Sequence, residues 1–242
     1  SFFFFFYLKC ENLFVTVLDW LKNDMEFLPV GCYFCTCIRY WKKVNHLSQE
    51  IIALGELNPR GDDLQSESLQ NEQRAEQGMP IYNKGIDWRL PDMIALCEVE
   101  NDSAMIALTK RSLLRKAGYE YVMTSSPDER GIDVALMYQP MSFRLLNHHS
   151  IRVKRLPDMR PTRDILYAKG VLISDDTLHV FVVHAPSRRG GEEASRPYRL
   201  QVASQLGQAV DSLYALNASA KILIAGDFND YHDSPALKQL EQ

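Results

Sequence analysis

Residues 221–235 read KILIAGDFNDYHDSP, an apolar run that opens straight into Gly226-Asp227-Phe228-Asn229, then further acids and a proline. Ile222 to Ala225 has the length and composition of a buried strand. A strand of that kind that ends on a carboxylate and a carboxamide needs something to satisfy them. Two other apolar runs end similarly: IALCEVEN reaches Glu98 and Glu100, and VFVVHAPS reaches His184. Gly-Asp-x-Asn alone is an ordinary turn sequence. The recurrence of polar groups at three strand ends is what points to chemistry.

Oxygen donors of the Asp, Glu and Asn type suit Mg²⁺ or Mn²⁺, which also bind phosphate oxygens. Asp227 and Asn229 lie two residues apart and share a face if the strand continues. Gly226 removes a side chain where a substrate would approach. A histidine at a strand end can donate to a phosphoryl oxygen. Together these groups suggest metal-assisted cleavage of a phosphate ester.

Outward from this stretch, short apolar runs alternate with helical patterns. DMIALCEV, GYEYVMT, DVALMYQP, FRLLNHHSIRV and KILIAGDF are of strand length, and GVLISDD/TLHVFVVHA reads as a hairpin with an acidic turn. Val44, Leu47, Ile51 and Leu54 lie on one helical face within residues 40–55. Two further helices are predicted, one from Ser103 closing on Gly118, the other over 195–216 with Leu200, Ala203, Leu206 and Val210 on one face. The pattern predicts a layered α/β (or α+β) architecture in one domain spanning 1–242. Residues 59–86, rich in Gln, Glu, Ser and Asn, read as a polar insertion.

Composition narrows the function classes. The 242 residues are 46% hydrophobic, enough for a sizeable core, and the net charge of −4 gives no general attraction to nucleic acid. Arg188, Arg189, Arg196 and Arg199 are interleaved with Glu192 and Glu193, the pattern of a solvated loop. No apolar run is long enough to span a bilayer, and a soluble, cytoplasmic protein is expected in preference to a secreted one. Five cysteines, with Cys32, Cys35 and Cys37 clustered, lack the partners of a zinc site and read as packing residues. The opening SFFFFFYLKC reads as a first strand buried on both faces rather than a signal remnant.

ILIAGDFND, preceded by VFVVHAPS, RGIDVALMY and LCEVEN, resembles the endonuclease/exonuclease/phosphatase superfamily, the DNase I-like group, and is most similar to the bacterial branch whose first strand reads YNxENLFD. The resemblance implies a four-layer α/β/β/α sandwich with a divalent-metal phosphoesterase site at one edge. It implies Glu98 as metal ligand, with Mg²⁺ or Mn²⁺ as cofactor. His184 is implied as the histidine that binds and protonates phosphate oxygens, and Asp227 with Asn229 as the pair orienting water and phosphate. On the same basis Gly131 and Asp133 line the cleft, Arg163 reaches it, and Glu100 stands behind the ligands or at the surface.

Two departures from the family pattern stand out. The asparagine expected two residues before ENLF is Lys9, whose ammonium repels Mg²⁺ and can pair with Glu98, while Asn12 falls on the opposite strand face. Val15 replaces the acid of ENLFD. The terminal Asp-His pair that supplies the family's general base is not present, so a C-terminally truncated domain without its last strands is expected; His232 belongs to the turn after Asn229 and reads as surface. The resulting expectation is a phosphoric ester hydrolase by descent, weak or inactive as this chain, acting on nucleic acid or a small phosphodiester. The alternative is a degenerate fold that binds phosphate or a protein without cutting.

Overall fold

The computed structural model describes residues 5–13, 37–56 and 90–240. The polar insertion, Cys32, Cys35, Val15 and the first four residues lie outside these. The described strands form two four-stranded sheets. In the first, β1 (Phe5–Leu13) pairs in parallel with β2 (Met93–Val99), which runs antiparallel to β4 (Asp133–Tyr138), itself antiparallel to β3 (Glu120–Met123). In the second, β5 (Phe143–Ile151), β6 (Ile165–Leu172) and β7 (Thr177–His184) form an antiparallel meander, and β8 (Lys221–Asp227) adds in parallel to β7. The expected acidic turn between β6 and β7 is present, with Asp175 in the left-handed region at φ 63°.

Pleat alternation divides the apolar residues between layers. Met93, Ala95 and Cys97 of β2 face Val134 and Leu136, and across the interface Leu166, Ala168, Val180 and Val182 of the second sheet. Ile94, Leu96 and Val99 point the other way, into a core with Val44, Leu47 and Ile51 of α1 (Cys37–Glu56). On the far side Tyr167, Phe181 and Val183 pack beneath Val202 and Leu206 of α3 (Glu192–Leu216). The layering is thus helix, sheet, sheet, helix, as expected. β1 follows the same rule, with Phe5 and Tyr7 towards the inter-sheet core and Phe6 and Leu8 towards α1. Among the described strands it lies at the end of its sheet, and these residues are half-buried.

Two helices differ from their sequence patterns. The segment expected as one helix to Gly118 is α2 (Asp102–Ile106), a π turn over Ala107–Arg111 and a 3₁₀ turn over Leu113–Lys116. Its N-cap is Asn101, accepting from the Ala104 N–H at 3.2 Å, rather than Ser103. Thr109 donates to the Met105 carbonyl at 2.8 Å and Ser112 to that of Leu108, side-chain bonds that compete with the regular ladder. In α3 the buried residues are Ser195, Arg199, Val202, Ala203 and Leu206. The inward stripe therefore includes an arginine, and Leu200 and Val210 are only half-buried. A short α4 (Pro235–Lys238) follows β8.

Candidate active site

Each sheet contributes one parallel strand pair, and the C-terminal ends of both pairs meet at one edge. In the first sheet Lys9 stands beside Cys97, and in the second His184 stands beside Asp227. The Lys9 ammonium bridges the sheets, 2.8 Å from Asp227 Oδ2 and 3.4 Å from Glu98 Oε1. The same Glu98 oxygen lies 3.9 Å from His184 Nε2.

Glu98 reaches this position through a β-bulge. Cys97 pairs with Val134 and Val99 with Asp133, so Glu98 is the extra residue, and its φ of 64° is left-handed. A bulge of this kind re-aims a side chain that the regular pleat would send elsewhere.

The GDFN element is built differently from the sequence expectation. β8 ends at Asp227, and Asn229 is left-handed at φ 52°, so strand geometry does not carry both side chains out on one face. A local turn joins them instead: Asp227 Oδ1 accepts the Asn229 N–H at 2.8 Å. The Asn229 amide then donates to the Ala185 carbonyl at 2.9 Å, and the Ala185 N–H donates to the Asp227 carbonyl at 2.8 Å. Gly226 makes room for the neighbouring strand and not for a substrate. At its φ of 141° a Cβ would lie 1.8 Å from the Val183 carbonyl oxygen.

Beneath this edge Arg163 is buried, donating to Asp128 Oδ2 at 3.1 Å and to the Ala185 carbonyl at 2.7 Å. Arg163 and Asn229 thus share one acceptor, which ties the arginine to the backbone that follows His184. Asp133 is 2% exposed, and its Oδ1 accepts from Thr124 Oγ1 at 2.6 Å, from the Ser126 N–H at 2.9 Å and from the Ser126 hydroxyl. Its carboxylate faces the start of the β3–β4 connection. Glu100 is fully buried, so it is not a surface residue. His232 is exposed, in the turn after β8.

Electrostatics follow from burial. His184 is 4% exposed, and burial, followed by the charges of Arg163, Lys9 and Arg130, pushes its pKa down to about 2. Its imidazole is neutral at pH 7: it can donate one N–H to a phosphate oxygen, but it does not arrive carrying the extra proton. Its Nδ1 has no hydrogen-bond partner among the described residues. Burial works against the Lys9 ammonium, yet the hydrogen bond and charge of Asp227, then the charge of Glu98, hold its pKa above the usual lysine value.

Sequence reading missed two participants. Asp128, which anchors Arg163, sits in SSPDERG, where an acid before a glycine turn carries no distinctive signal. Arg199, grouped above with solvated arginines, is 1% exposed. It donates to Asp230 Oδ2 at 2.9 Å, to Ser195 Oγ at 2.7 Å and to the Glu192 carbonyl at 3.1 Å. Asp230 therefore faces α3, and the pair pins the turn after Asn229. Arg188 covers the Tyr231 ring at 4.4 Å on the outside of that turn.

A sequence profile of the endonuclease/exonuclease/phosphatase family matches residues 82–242, which contain Glu98, His184, Asp227 and Asn229. The chain belongs to that family. The fold is shared with ANGEL2, a 2',3'-cyclic phosphatase, at 20% identity and a TM-score of 0.50, covering 61% of this chain and 42% of ANGEL2. The human Nocturnin catalytic domain aligns at 22% identity with a TM-score of 0.49, over 61% of this chain and 55% of that one. Truncated TDP2 of Caenorhabditis elegans aligns at 20% identity with a TM-score of 0.46, over 58% and 50%. The chain spans about half the length of these solved relatives. A search of curated protein sequences found no match.

The resemblance implies a divalent metal on Glu98. Among the described residues no cluster of three or more His, Cys, Asp or Glu is placed to hold a metal ion. The two nearest carboxylates, Glu98 and Asp227, already face the Lys9 ammonium. With Lys9 charged and seated there, these residues do not fit a divalent cation. No helix among the described residues is long and apolar enough to cross a membrane.

Proposed function

We propose that this edge is a phosphoric ester hydrolase site, and that the chain binds a phosphate ester there and hydrolyses it slowly. The observation that carries the reading is the convergence of His184, Asp227, Asn229 and Glu98 at the ends of two parallel strand pairs drawn from different sheets. Membership of the family, and a fold shared with a 2',3'-cyclic phosphatase, support the same reaction class.

The roles follow from the geometry. The neutral His184 imidazole donates a hydrogen bond to a non-bridging phosphate oxygen. Asn229, with one amide N–H on Ala185, directs the other at the phosphate. Asp227 orients the attacking water, although its Oδ1 is shared with the Asn229 N–H and its Oδ2 with Lys9. That sharing leaves Asp227 a poor general base, which accounts for slow turnover. Arg163 supports the Ala185 carbonyl from below and acts through it. Asp133 contributes by holding the connection before β4 in place.

Mg²⁺ and Mn²⁺ are the ions the family pattern calls for, and Glu98 is the carboxylate that pattern would offer them, but here it faces the Lys9 ammonium. A second reading, a binding module without turnover, is favoured by one observation, the seat taken by Lys9. Hydrolysis of p-nitrophenyl phosphate and bis(p-nitrophenyl) phosphate by the purified chain separates the two. The hydrolase reading expects a slow rate that Asp227→Asn and His184→Ala each lower about a hundredfold, the scale of removing one oriented hydrogen-bonding group at the reacting centre. A rate equal to background, or one indifferent to both substitutions, overturns it.

A further inference from the structure

We propose that Lys9 is the resident cation of this site, and that its ammonium takes the place and the phosphate-binding task of a divalent metal. The proposal rests on reading the edge as a phosphate ester site. Three observations support it. First, the ammonium lies between the two carboxylates best placed to receive an ion, one from each sheet, at 2.8 Å and 3.4 Å. Second, a divalent ion bound to Glu98 Oε1 at the usual 2.1 Å or so would stand no farther than about 5.5 Å from Lys9 Nζ. That is close enough for strong repulsion in a cleft partly shielded from water. Third, an ammonium carries three N–H donors. One points to Asp227 and one towards Glu98, and the third has no partner among the described residues, while the side chain is 40% exposed. The ammonium stands at the edge where His184 Nε2 lies 3.9 Å from the same Glu98 oxygen.

The local charge balance gives the same answer. Glu98 and Asp227 supply two negative charges, and an approaching phosphate adds more. Without Lys9 the two carboxylates would repel an anion and attract a metal, whereas Lys9 neutralises one of them and offers a charge-assisted hydrogen bond of its own. The edge then accepts phosphate through Lys9, His184 and Asn229.

The test uses the full chain, inorganic phosphate and Mn²⁺, with calorimetric titration and thermal melting as readouts. In EDTA, wild type is expected to bind phosphate, and in chelator-free buffer ~1 mM Mn²⁺ is expected to leave its Tm unchanged. Lys9→Asn and Lys9→Met are each expected to lose about tenfold in phosphate affinity in EDTA, the scale of one charge-assisted hydrogen bond. Lys9→Asn is expected to gain a Tm rise with Mn²⁺. A Mn²⁺-dependent Tm rise in wild type, abolished by Glu98→Gln, overturns the proposal while leaving the hydrolase reading intact, and needs no Lys9 variant to fold. Equal phosphate affinity in wild type and both Lys9 variants also overturns it. Wild type that binds no phosphate with or without Mn²⁺ overturns the phosphate-site reading itself, so the two failures are distinct.

Discussion

Gly226→Ala tests whether backbone contact between β7 and β8 sets the position of Asp227. The new Cβ would lie 1.8 Å from the Val183 carbonyl oxygen and 2.7 Å from the carbonyl carbon. Ordinary contact needs roughly 1.5 Å more, and the obstacle is backbone that no rotamer change can relieve. Separating the strands breaks the register around Val183–Gly226 and threatens the flanking Val182–Ala225 and His184–Asp227 pairs. About two ladder hydrogen bonds at ~1 kcal/mol each, with ~1–3 kcal/mol for an alanine at φ 141°, give a loss of ~3–5 kcal/mol. That is a large share of the ~5–15 kcal/mol available to a folded domain. Gly190→Ala is the control, since Gly190 also has a positive φ, 89°, but no atom within 4 Å of its Cβ position. It carries only the conformational cost, ~1–2 kcal/mol. Urea denaturation of both variants, read as midpoint shifts at constant slope, measures the difference. Equal shifts for the two would refute the steric argument.

Other expected outcomes follow from the same contacts. Arg199→Met strands the Asp230 carboxylate, whose side chain is 4% exposed, and should destabilise by ~3–5 kcal/mol in urea denaturation, with Arg199→Met/Asp230→Asn recovering part of that loss. His184 has a folded pKa near 2 against an unfolded value of 6.5, so between these values the unfolded chain binds the proton and the folded chain does not. Its contribution is fully present above pH 6.5 and is lost as pH falls, by up to ~1.4 kcal/mol per pH unit; His184→Asn should flatten the Tm profile between pH 6.5 and 4.5. Asp133→Ala leaves the Ser126 N–H without its acceptor and the buried Thr124 hydroxyl with only the Val134 carbonyl at 3.4 Å, and should cost ~2–4 kcal/mol by thermal melting, whereas Asp133→Asn, which keeps one acceptor oxygen, should cost less.

How much of this was legible in the sequence depended on the range of the interaction. Local period and strand ends were readable: the runs ending on Glu98, His184 and Asp227 became β2, β7 and β8, and their alternation with helices implied a layered α/β domain, while the two stacked sheets came from the family resemblance. Local dihedrals were less so. Nothing in CEV announces the left-handed Glu98, and Asn229 joins Asp227 through a turn rather than through strand alternation. Pairings between distant segments were hardest. Arg199 sits among charges typical of a solvated face, and only its approach to Asp230, 31 positions away, makes it a buried anchor. Lys9 lay between, because its conflict with a metal was readable from its charge, while its tighter contact with Asp227 than with Glu98 was not.

The bulge at Glu98 also bears on how the first sheet finds its alignment. β2 is fully buried along Met93–Val99, with apolar residues on both faces. Sliding such a strand by one residue exchanges Ala95 and Cys97 for Ile94 and Leu96, so hydrophobicity discriminates weakly between the two arrangements. Discrimination falls to the polar end. Only one alignment puts Glu98 at the bulge beside Lys9 while keeping Val99 opposite Asp133. The contact between Lys9 and Glu98 thus also acts as a register lock for the strand that carries Glu98.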